Sequence, residues 1–536
     1  MLPEDVYFKT LDSEDLWKRY CGFLDLTVEE FLQIQRSLLA EQLSLVADSV
    51  LGRKILGARP PRTIEEFRET VPFTTYGDYE PYLSEKREDP LAAKPAVWCH
   101  SSGRSGKFKW IPHSEPFMGK TARNCVAVFI LSAASRRGEI ALAPGARVLT
   151  GIPLAPYTSG TIFENLRKRF TFQPLPPPES VGSLSFREQV SRAFEMALRD
   201  GFDFAGAIAS VLVRMGEQMS GHAAGTSRLS LATFHPKVLF RLLRGLLRSQ
   251  IQKRPVYPRD LWSPKGIMAG GVDASIYRDE IEKYWGVTPF DVYVSTETMF
   301  VAMQSWAKAH MTFLPDSVFL EFLPHAGREG AEPRRDGTLL LDQLEPGGLY
   351  EMIVTQFHGM PLLRYRIGDV IRVVSIGDEK VGIKLPQIEV RRKVGETINL
   401  GSLCNLDERT LWTAIAATGL PYAEWTALKE YDHNETFLRL VIELKVPCAA
   451  AEVSRLVHDG LKKIDMDYDD VERYLGVNPV RTTIISRGSF SRYVEARMRE
   501  GAVLSHLKPA HVNPSPELLK MLIGAGSVVD EEKPRQ

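Results

Sequence analysis

Over the first hundred residues apolar side chains recur at three- and four-residue spacing, most clearly in VEEFLQIQRSLLAEQLSLVADSVL, until Pro and Gly break the pattern at GARPPRT. This predicts a helical lead-in over residues 1–95. From about Trp98 to Val373 short β-rich runs (AVWCHSS, RVLTGIP, FDVYVST, YEMIVTQF, DVIRVV) alternate with helical stretches. That order argues for an α/β sheet and places the main core there, in a large domain over 1–390. After KLPQIEVRRKVGE, the runs ERTLWTAIAATG, TFLRLVIELKV, AAEVSRLVHDGLKKI and VRTTIISRG read as helix, strand, helix and strand. They predict a smaller α+β domain over 391–536, whose polar tail GAGSVVDEEKPRQ reads as fraying.

The 536 residues exceed what one core usually serves, and 44% hydrophobic with 25% charged residues is the balance of a globular protein. Lys plus Arg and Asp plus Glu both number 67, so the basic excess that favours nucleic acid is missing. Locally, FRLLRGLLRSQIQKR puts Arg241, Arg244 and Arg248 on one helix face, which reads as a solvated face in preference to a membrane-surface helix. Five scattered cysteines give neither a disulfide framework nor a metal-ligand spacing, which fits a reducing compartment. The start, MLPEDVYF, is acidic, and the apolar run VAVFIL is too short to span a bilayer. The expectation is a cytoplasmic protein with neither nucleic-acid nor membrane partner.

Chemistry concentrates in a few strings. HSSGRSGKFKWIP gathers Ser101, Ser102, Gly103, Arg104, Ser105, Gly106, Lys107 and Lys109 at a strand end, where backbone N–H groups, hydroxyls and a Lys can hold phosphates. Alone it fits an exposed turn equally well, and it is too short for a Walker A loop. FDVYVSTETMF ends an alternating run at Tyr293, Ser295, Thr296 and Glu297, where a carboxylate suits Mg²⁺; alone this is a half-exposed strand edge. In GIMAGGVDAS, Gly270 and Gly271 let backbone approach a flat ring or simply make a turn. In GMPLLRYRIGDVIRV, Asp369 follows Gly368 between two strand-like runs and can accept two ribose hydroxyls; the bland reading is a hairpin turn with a surface Arg366–Asp369 ion pair.

Together the strings resemble the adenylate-forming superfamily. The first is similar to its SSGTTGKPK-type loop, with Arg104 standing where that family has Thr. The second is similar to its Y-x-[ST]-[ST]-E motif, and the Arg-Tyr-Arg-x-Gly-Asp string follows in the family's order. VPFTTYGDYEPYL, IEVRRKVGETINLGSLCNLDERTL and GSFSRYVEARMREGAVLSHLKP sharpen the resemblance to the auxin-conjugating acyl-acid amido synthetases and their bacterial relatives. The phosphate loop is one residue shorter than the plant form, and GMPLLRYRIGD is closer to phenylacetate-type CoA ligases.

The resemblance implies an adenylate-forming α/β domain with a mobile C-terminal domain, hinged near 391–397. It implies that ATP and Mg²⁺ are used to adenylate a carboxylic acid, whose acyl group then passes to an amino acid. The alternatives are transfer to the thiol of CoA and, with Arg104 as the warning sign, a nucleotide-binding protein that has lost catalysis. The roles implied are catalysis for Lys109 and Lys508, magnesium for Glu297, and nucleotide contacts for Ser101, Ser102, Gly103, Arg104, Ser105, Gly106, Gly270, Gly271, Tyr293, Ser295, Thr296, Arg366, Asp369 and Arg392. Tyr157, Val211 and Val213 are expected near the acyl pocket. His100, His113, His358, His506 and His511 read as side chains satisfied by backbone, since nothing in the sequence pairs one with an orienting carboxylate.

Overall fold

The lead-in forms helices where the sequence supplies both period and caps: Pro3–Thr10, Ser13–Cys21, Val28–Val46, Val50–Leu56, Ile64–Thr70 and Tyr76–Leu83. Thr27 and Glu30 make a reciprocal capping box, and Asp12, Ser49 and Thr63 cap the starts of three other helices. Helix Val28–Val46 buries Phe31, Leu39 and Leu43 together with two glutamines. A buried amide must be paired, and these pairings cross long stretches of chain. Gln35 Nε2 donates to Val318 O at 2.8 Å while its Oε1 accepts from Leu320 N; Gln42 does the same with Met360 O and Gly359 N, both at 2.7 Å.

The computed structural model of the chain describes residues 1–101, 109–151, 155–180, 186–221, 236–270, 277–324, 337–393, 397–400, 404–432, 435–465, 468–469, 478–499, 511–524 and 527–531. They fall into two compact units that divide between Val394 and Gly395. No helix among them is long and apolar enough to cross a membrane.

In the first unit, β1 (Val97–Ser101) and β2 (Lys109–His113) make a separate antiparallel hairpin, although the sequence reading counted AVWCHSS with the main sheet. The main sheet has eleven strands: β3 (Ala146–Gly151), β4 (Phe172–Leu175), β5 (Phe204–Ile208), β6 (Gly266–Gly270), β7 (Phe290–Ser295), β8 (Met299–Gln304), β9 (Met311–Phe313), β10 (Val318–Pro324), β11 (Leu349–Gln356), β12 (Tyr365–Ser375) and β13 (Gln387–Lys393). Their order is β10-β11-β12-β13-β9-β8-β7-β6-β5-β3-β4. From β4 to β7 neighbours are parallel; from β7 to β10 they are antiparallel. Strand β7 is the seam. Helix Glu115–Ala133, apolar on most sides, lies against it and is correspondingly buried. It comes so close to β6 that a Cβ at Gly266 would lie 2.9 Å from the Ser132 carbonyl carbon.

The start of β12 is held by a buried charge. Arg364 is fully buried, with φ +43°, and forks onto Glu321 of β10 at 2.8 and 3.1 Å. Its remaining N–H groups reach Arg68 O (2.6 Å), Val71 O (2.7 Å) and Thr338 Oγ1 (3.4 Å). Phe73 lies under the guanidinium with its ring centroid 4.4 Å away. Next to it, Thr74 bridges to Tyr365, with Thr74 N donating to Arg364 O and Arg366 N to Thr74 O.

The second unit contains the hairpin β14 (Thr397–Leu400) and β15 (Cys404–Asp407), and a four-stranded sheet of β16 (Tyr422–Asp432), β17 (Glu435–Leu444), β18 (Val480–Ile485) and β19 (Val528–Glu531). Helices Glu408–Ala417 and Ala450–Ile464 pack on one another, and the second joins the parallel pair β17–β18. The tail does not simply fray. Residues 528–531 add an antiparallel edge strand to β18, Asp530 accepts from Ala450 N at 2.8 Å, and Glu531 pairs with Arg439. Short-range polarity concealed partners that lie 80 or more residues away.

Breaking a buried pair strands the surviving charge, so Glu321→Gln or Arg364→Met should each lower stability by about 3–5 kcal/mol in urea denaturation. Arg364→Lys should rescue little, because an ammonium cannot reproduce the fork. A loss near zero for both truncations would show that Arg364 does not hold this strand.

Candidate active site

Strands β7 and β8 meet in a short hairpin whose tip is Thr296–Thr298. Ser295 Oγ accepts from Thr298 N at 3.2 Å, and Met299, the next residue, is buried at φ +51°. A buried non-glycine in that region persists only where its surroundings over-determine it. Three hydrogen bonds from three elements do so here. His113 Nε2 donates to Thr296 O at 2.8 Å, Thr158 Oγ1 meets Thr296 Oγ1 at 2.7 Å, and Gln356 Nε2 donates to Glu297 O at 2.9 Å. The carboxylate of Glu297, 9% exposed, faces the Tyr365 hydroxyl at 3.4 Å.

His113 is wholly buried and stacked on Phe117 with centroids 5.1 Å apart. Because Nε2 carries the proton donated to Thr296, Nδ1 is the bare nitrogen, and it has no hydrogen-bond partner. Burial pushes the imidazole pKa down to about 4, so the ring stays neutral.

Asp369 lies within β12, which runs unbroken from Tyr365 to Ser375; the Gly-Asp pair is therefore not the hairpin turn of the bland reading. The pairing with β11 slips instead, from Ile353↔Arg366 to Glu351↔Val370, and Gly368 takes φ +79° inside the bulge. A bulge re-aims a side chain, and here the Tyr293 hydroxyl donates to Asp369 Oδ2. Burial and the adjacent carboxylate raise the Tyr293 phenol, which keeps its proton. Arg366 does not pair with Asp369: its guanidinium forks onto Glu351 at 2.6 and 2.9 Å.

Lys109 opens β2 opposite Ser101, with Nζ 5.5 Å from the centroid of Tyr76. The Tyr76 hydroxyl accepts from Trp110 N at 2.9 Å, and its pKa is raised by burial first, then by the charges of Glu80 and Glu297. Gly270 closes β6 opposite Ile208. Tyr157 sits edge-on to His100 with centroids 4.4 Å apart. Val213 is buried in the apolar cluster with Leu212 and Trp285, where packing alone accounts for it. Ser102, Gly103, Arg104, Ser105, Gly106, Lys107, Gly271, His506 and Lys508, and the side chains of Ser101, Val211 and Arg392, lie outside the described residues. A cavity of about 680 Å³ beside β3 and β4, lined by Arg147, Gln173 and Asp200 among others, contains none of the motif residues and is not the site.

The sequence reading missed the residues that hold the motif: Tyr76, Gln356, Tyr365 and the His113 contact. One histidine also departs from expectation. In the second unit His511 is clamped between Glu408 and Glu424, both at 2.6 Å, and stacked on Trp425 at 4.5 Å. The two carboxylates outweigh burial and raise its pKa. They lie 103 and 87 residues away, so no local pattern shows them.

The sheet, parallel on one side of β7 and antiparallel on the other, is a fold shared with solved enzyme structures. Over 85% of its length the chain matches 86% of 2-hydroxyisobutyryl-CoA ligase, solved with 2-HIB-AMP and CoA, at 12% identity and a TM-score of 0.56. Over its full length it matches 99% of AtGH3.15 acyl acid amido synthetase, solved with 2,4-DB, at 18% identity and a TM-score of 0.53. Within that fold, residues 21–143 match the GH3 family N-terminal domain and residues 311–393 the GH3 family central domain. Together these two matches cover 206 of the chain's 536 residues. The chain is similar to the probable indole-3-acetic acid-amido synthetase GH3.1 of Oryza sativa subsp. japonica, 26% identical over 263 residues, which are 45% of this chain and 42% of that protein. It is also similar to the indole-3-acetic acid-amido synthetase GH3.8 of Oryza sativa subsp. indica, 24% identical over 268 residues, 46% of this chain and 43% of that one. The match thus spans less than half the length of these curated relatives.

The His113 contact has a pH signature. Unfolded, its imidazole takes a proton below 6.5; folded, it does so only near 4. Between those values the unfolded chain binds more protons, so the stabilisation is present above pH 6.5 and is lost as pH falls. Over that window the wild type should lose up to about 3 kcal/mol more than His113→Gln, which retains a donor for Thr296 O. Parallel stability–pH curves in urea denaturation would rule the assignment out.

Proposed function

We propose that the protein is an ATP-dependent, AMP-forming ligase that adenylates a carboxylic acid and transfers the acyl group to an amino acid. The observation that supports this most is convergence: Lys109 lies beside Tyr76, Glu297 beside Tyr365 and Asp369 beside Tyr293, and the Glu297 charge is felt by all three tyrosines, which come from separated stretches of sequence. The matches to the GH3 family N-terminal and central domains point the same way.

In the first half-reaction a carboxylate oxygen of the acid attacks the α-phosphorus of ATP. An O–P bond forms, the α–β phosphoanhydride breaks, and pyrophosphate leaves with its electron pair. Negative charge shifts to the leaving group, so the site needs cations and oriented donors more than a base. Asp369, aimed by its bulge and steadied by Tyr293, accepts the ribose hydroxyls. Lys109 supplies positive charge beside the phosphates, with the 102–107 backbone and hydroxyls as donors.

Glu297 fits a magnesium ligand: it is a buried carboxylate that makes no ion pair among the described residues, and Mg²⁺ commonly takes one or two carboxylates plus phosphate oxygens. When bound, Mg²⁺ offsets charge on the departing pyrophosphate. In the second half-reaction the neutral amine of the acceptor attacks the acyl carbon, the bond to AMP breaks, and the amine proton is lost. We read 391–397, with Arg392, as the hinge about which the second unit turns between the steps, and Lys508 as its contribution to adenylate formation. With its thiols free, the protein suits a cytoplasmic setting.

CoA is the second acceptor, favoured by the string GMPLLRYRIGD. The test is incubation with ATP, Mg²⁺, a panel of carboxylic acids, and amino acids or CoA, with products identified by mass. An amide accompanied by AMP is expected. Starting instead from a supplied acyl-adenylate, Lys508→Ala should still transfer at the wild-type rate. Exclusive formation of CoA thioesters would move the acceptor, and ATP turnover indifferent to every acid would overturn the reading.

A further inference from the structure

Helix Pro236–Ile251 has an inner side that is tightly fixed. Val238 and Gly245 are buried, a Cβ at Gly245 would lie 2.5 Å from Leu261 Cδ2, and Arg241 donates to Ala197 O and Leu198 O. The helix therefore cannot roll to hide its other side. That side carries Leu239, Phe240, Leu243, Leu246, Leu247 and Ile251, each at least half exposed, with Phe240 at 68% and Ile251 at 79%. At 3.6 residues per turn these six fall within one arc of about 140°. Lys237, Arg244 and Arg248 follow along one border of it. Gln250, also exposed, is the polar residue that falls within the arc. An apolar arc of this size on a surface helix marks an interaction face.

Charge says what kind of partner fits. From Gln218 to Arg259 the chain holds eight Lys or Arg and no Asp or Glu, within a protein whose basic and acidic residues both number 67. Arg241 is engaged on the inner side and Arg254 with Asp260, while Lys237, Arg244 and Arg248 lie along the border of the apolar arc. Two copies meeting face to face would oppose like charges around the apolar contact, which disfavours self-association. A partner that offers hydrocarbon beneath a negative surface satisfies both parts. We propose that this helix docks the protein on an anionic lipid surface, with the leucines and Phe240 at the level of the acyl chains and the cations among the headgroups. The inference is independent of the ligase reading: it replaces the solvated face expected from the arginines alone, because only the fold shows which arc is left outside.

The test is sedimentation of the full chain with vesicles of phosphatidylcholine alone and of phosphatidylcholine with phosphatidylglycerol. The protein should partition onto the second and not the first, and raised salt should release it. Leu243→Asp with Leu247→Asp, and separately Arg244→Gln with Arg248→Gln, should each lower the partition coefficient roughly tenfold or more while leaving the thermal midpoint unchanged. Failure to bind the anionic vesicles, or binding undiminished by both pairs, overturns the proposal. So does a concentration-dependent dimer in light scattering that Leu247→Asp abolishes, since the face would then belong to a second copy.

Discussion

One buried guanidinium organises the first unit. A charge taken out of water is tolerable only if every donor is met, and Arg364 meets this demand with Glu321 of β10, the carbonyls of Arg68 and Val71, and Thr338. Those partners come from the helical lead-in, the far edge of the sheet and the segment before β11. Their agreement leaves β12 one place to begin. Tyr365, Gly368 and Asp369 follow within five residues, so the geometry of the candidate site descends from that ion pair.

The site treats its two carboxylates alike. Asp369 and Glu297 each face a phenol whose pKa burial and the neighbouring carboxylate raise, so each receives a neutral hydrogen bond from a donor that does not ionise. A hydroxyl orients a carboxylate without cancelling its charge, unlike the Arg366–Glu351 pair a few residues away. The same economy governs the hairpin tip, where neutral His113, Thr158 and Gln356 fix backbone and hydroxyl positions while the Glu297 carboxylate faces the Tyr365 hydroxyl.

Local pattern carried much of this architecture. The helical lead-in, the strand runs, and the alternation of helix and strand after Gly395 follow from period and capping, which act within a few residues. The order of the three motifs was legible for the same reason. What pattern could not show was pairing across distance. Nothing near Val97–Ser101 says that it pairs with β2 rather than joining the main sheet. A turn stayed open as the bland alternative at Gly368 because a bulge and a turn both ask for positive φ. The carboxylates around His511 and the strand partner of Val528–Glu531 are likewise visible only once the chain has folded. The exposed arc of Pro236–Ile251 is the converse case: its amphipathic period was plain, but which side faces outward depends on Leu261 and Ala197.

The central claim is that Lys109, Glu297 and Asp369 form one site that activates a carboxylate with ATP. Exchange of labelled pyrophosphate into ATP tests it most directly, because it reports reversal of adenylate formation with no acceptor present. Label should enter ATP only when both a suitable carboxylic acid and Mg²⁺ are supplied, and Asp369→Ala should reduce it at least tenfold, in keeping with roughly 1.5–3 kcal/mol for each lost hydrogen bond to a charged acceptor. Exchange that ignores the acid, or that survives Asp369→Ala undiminished, would contradict the account.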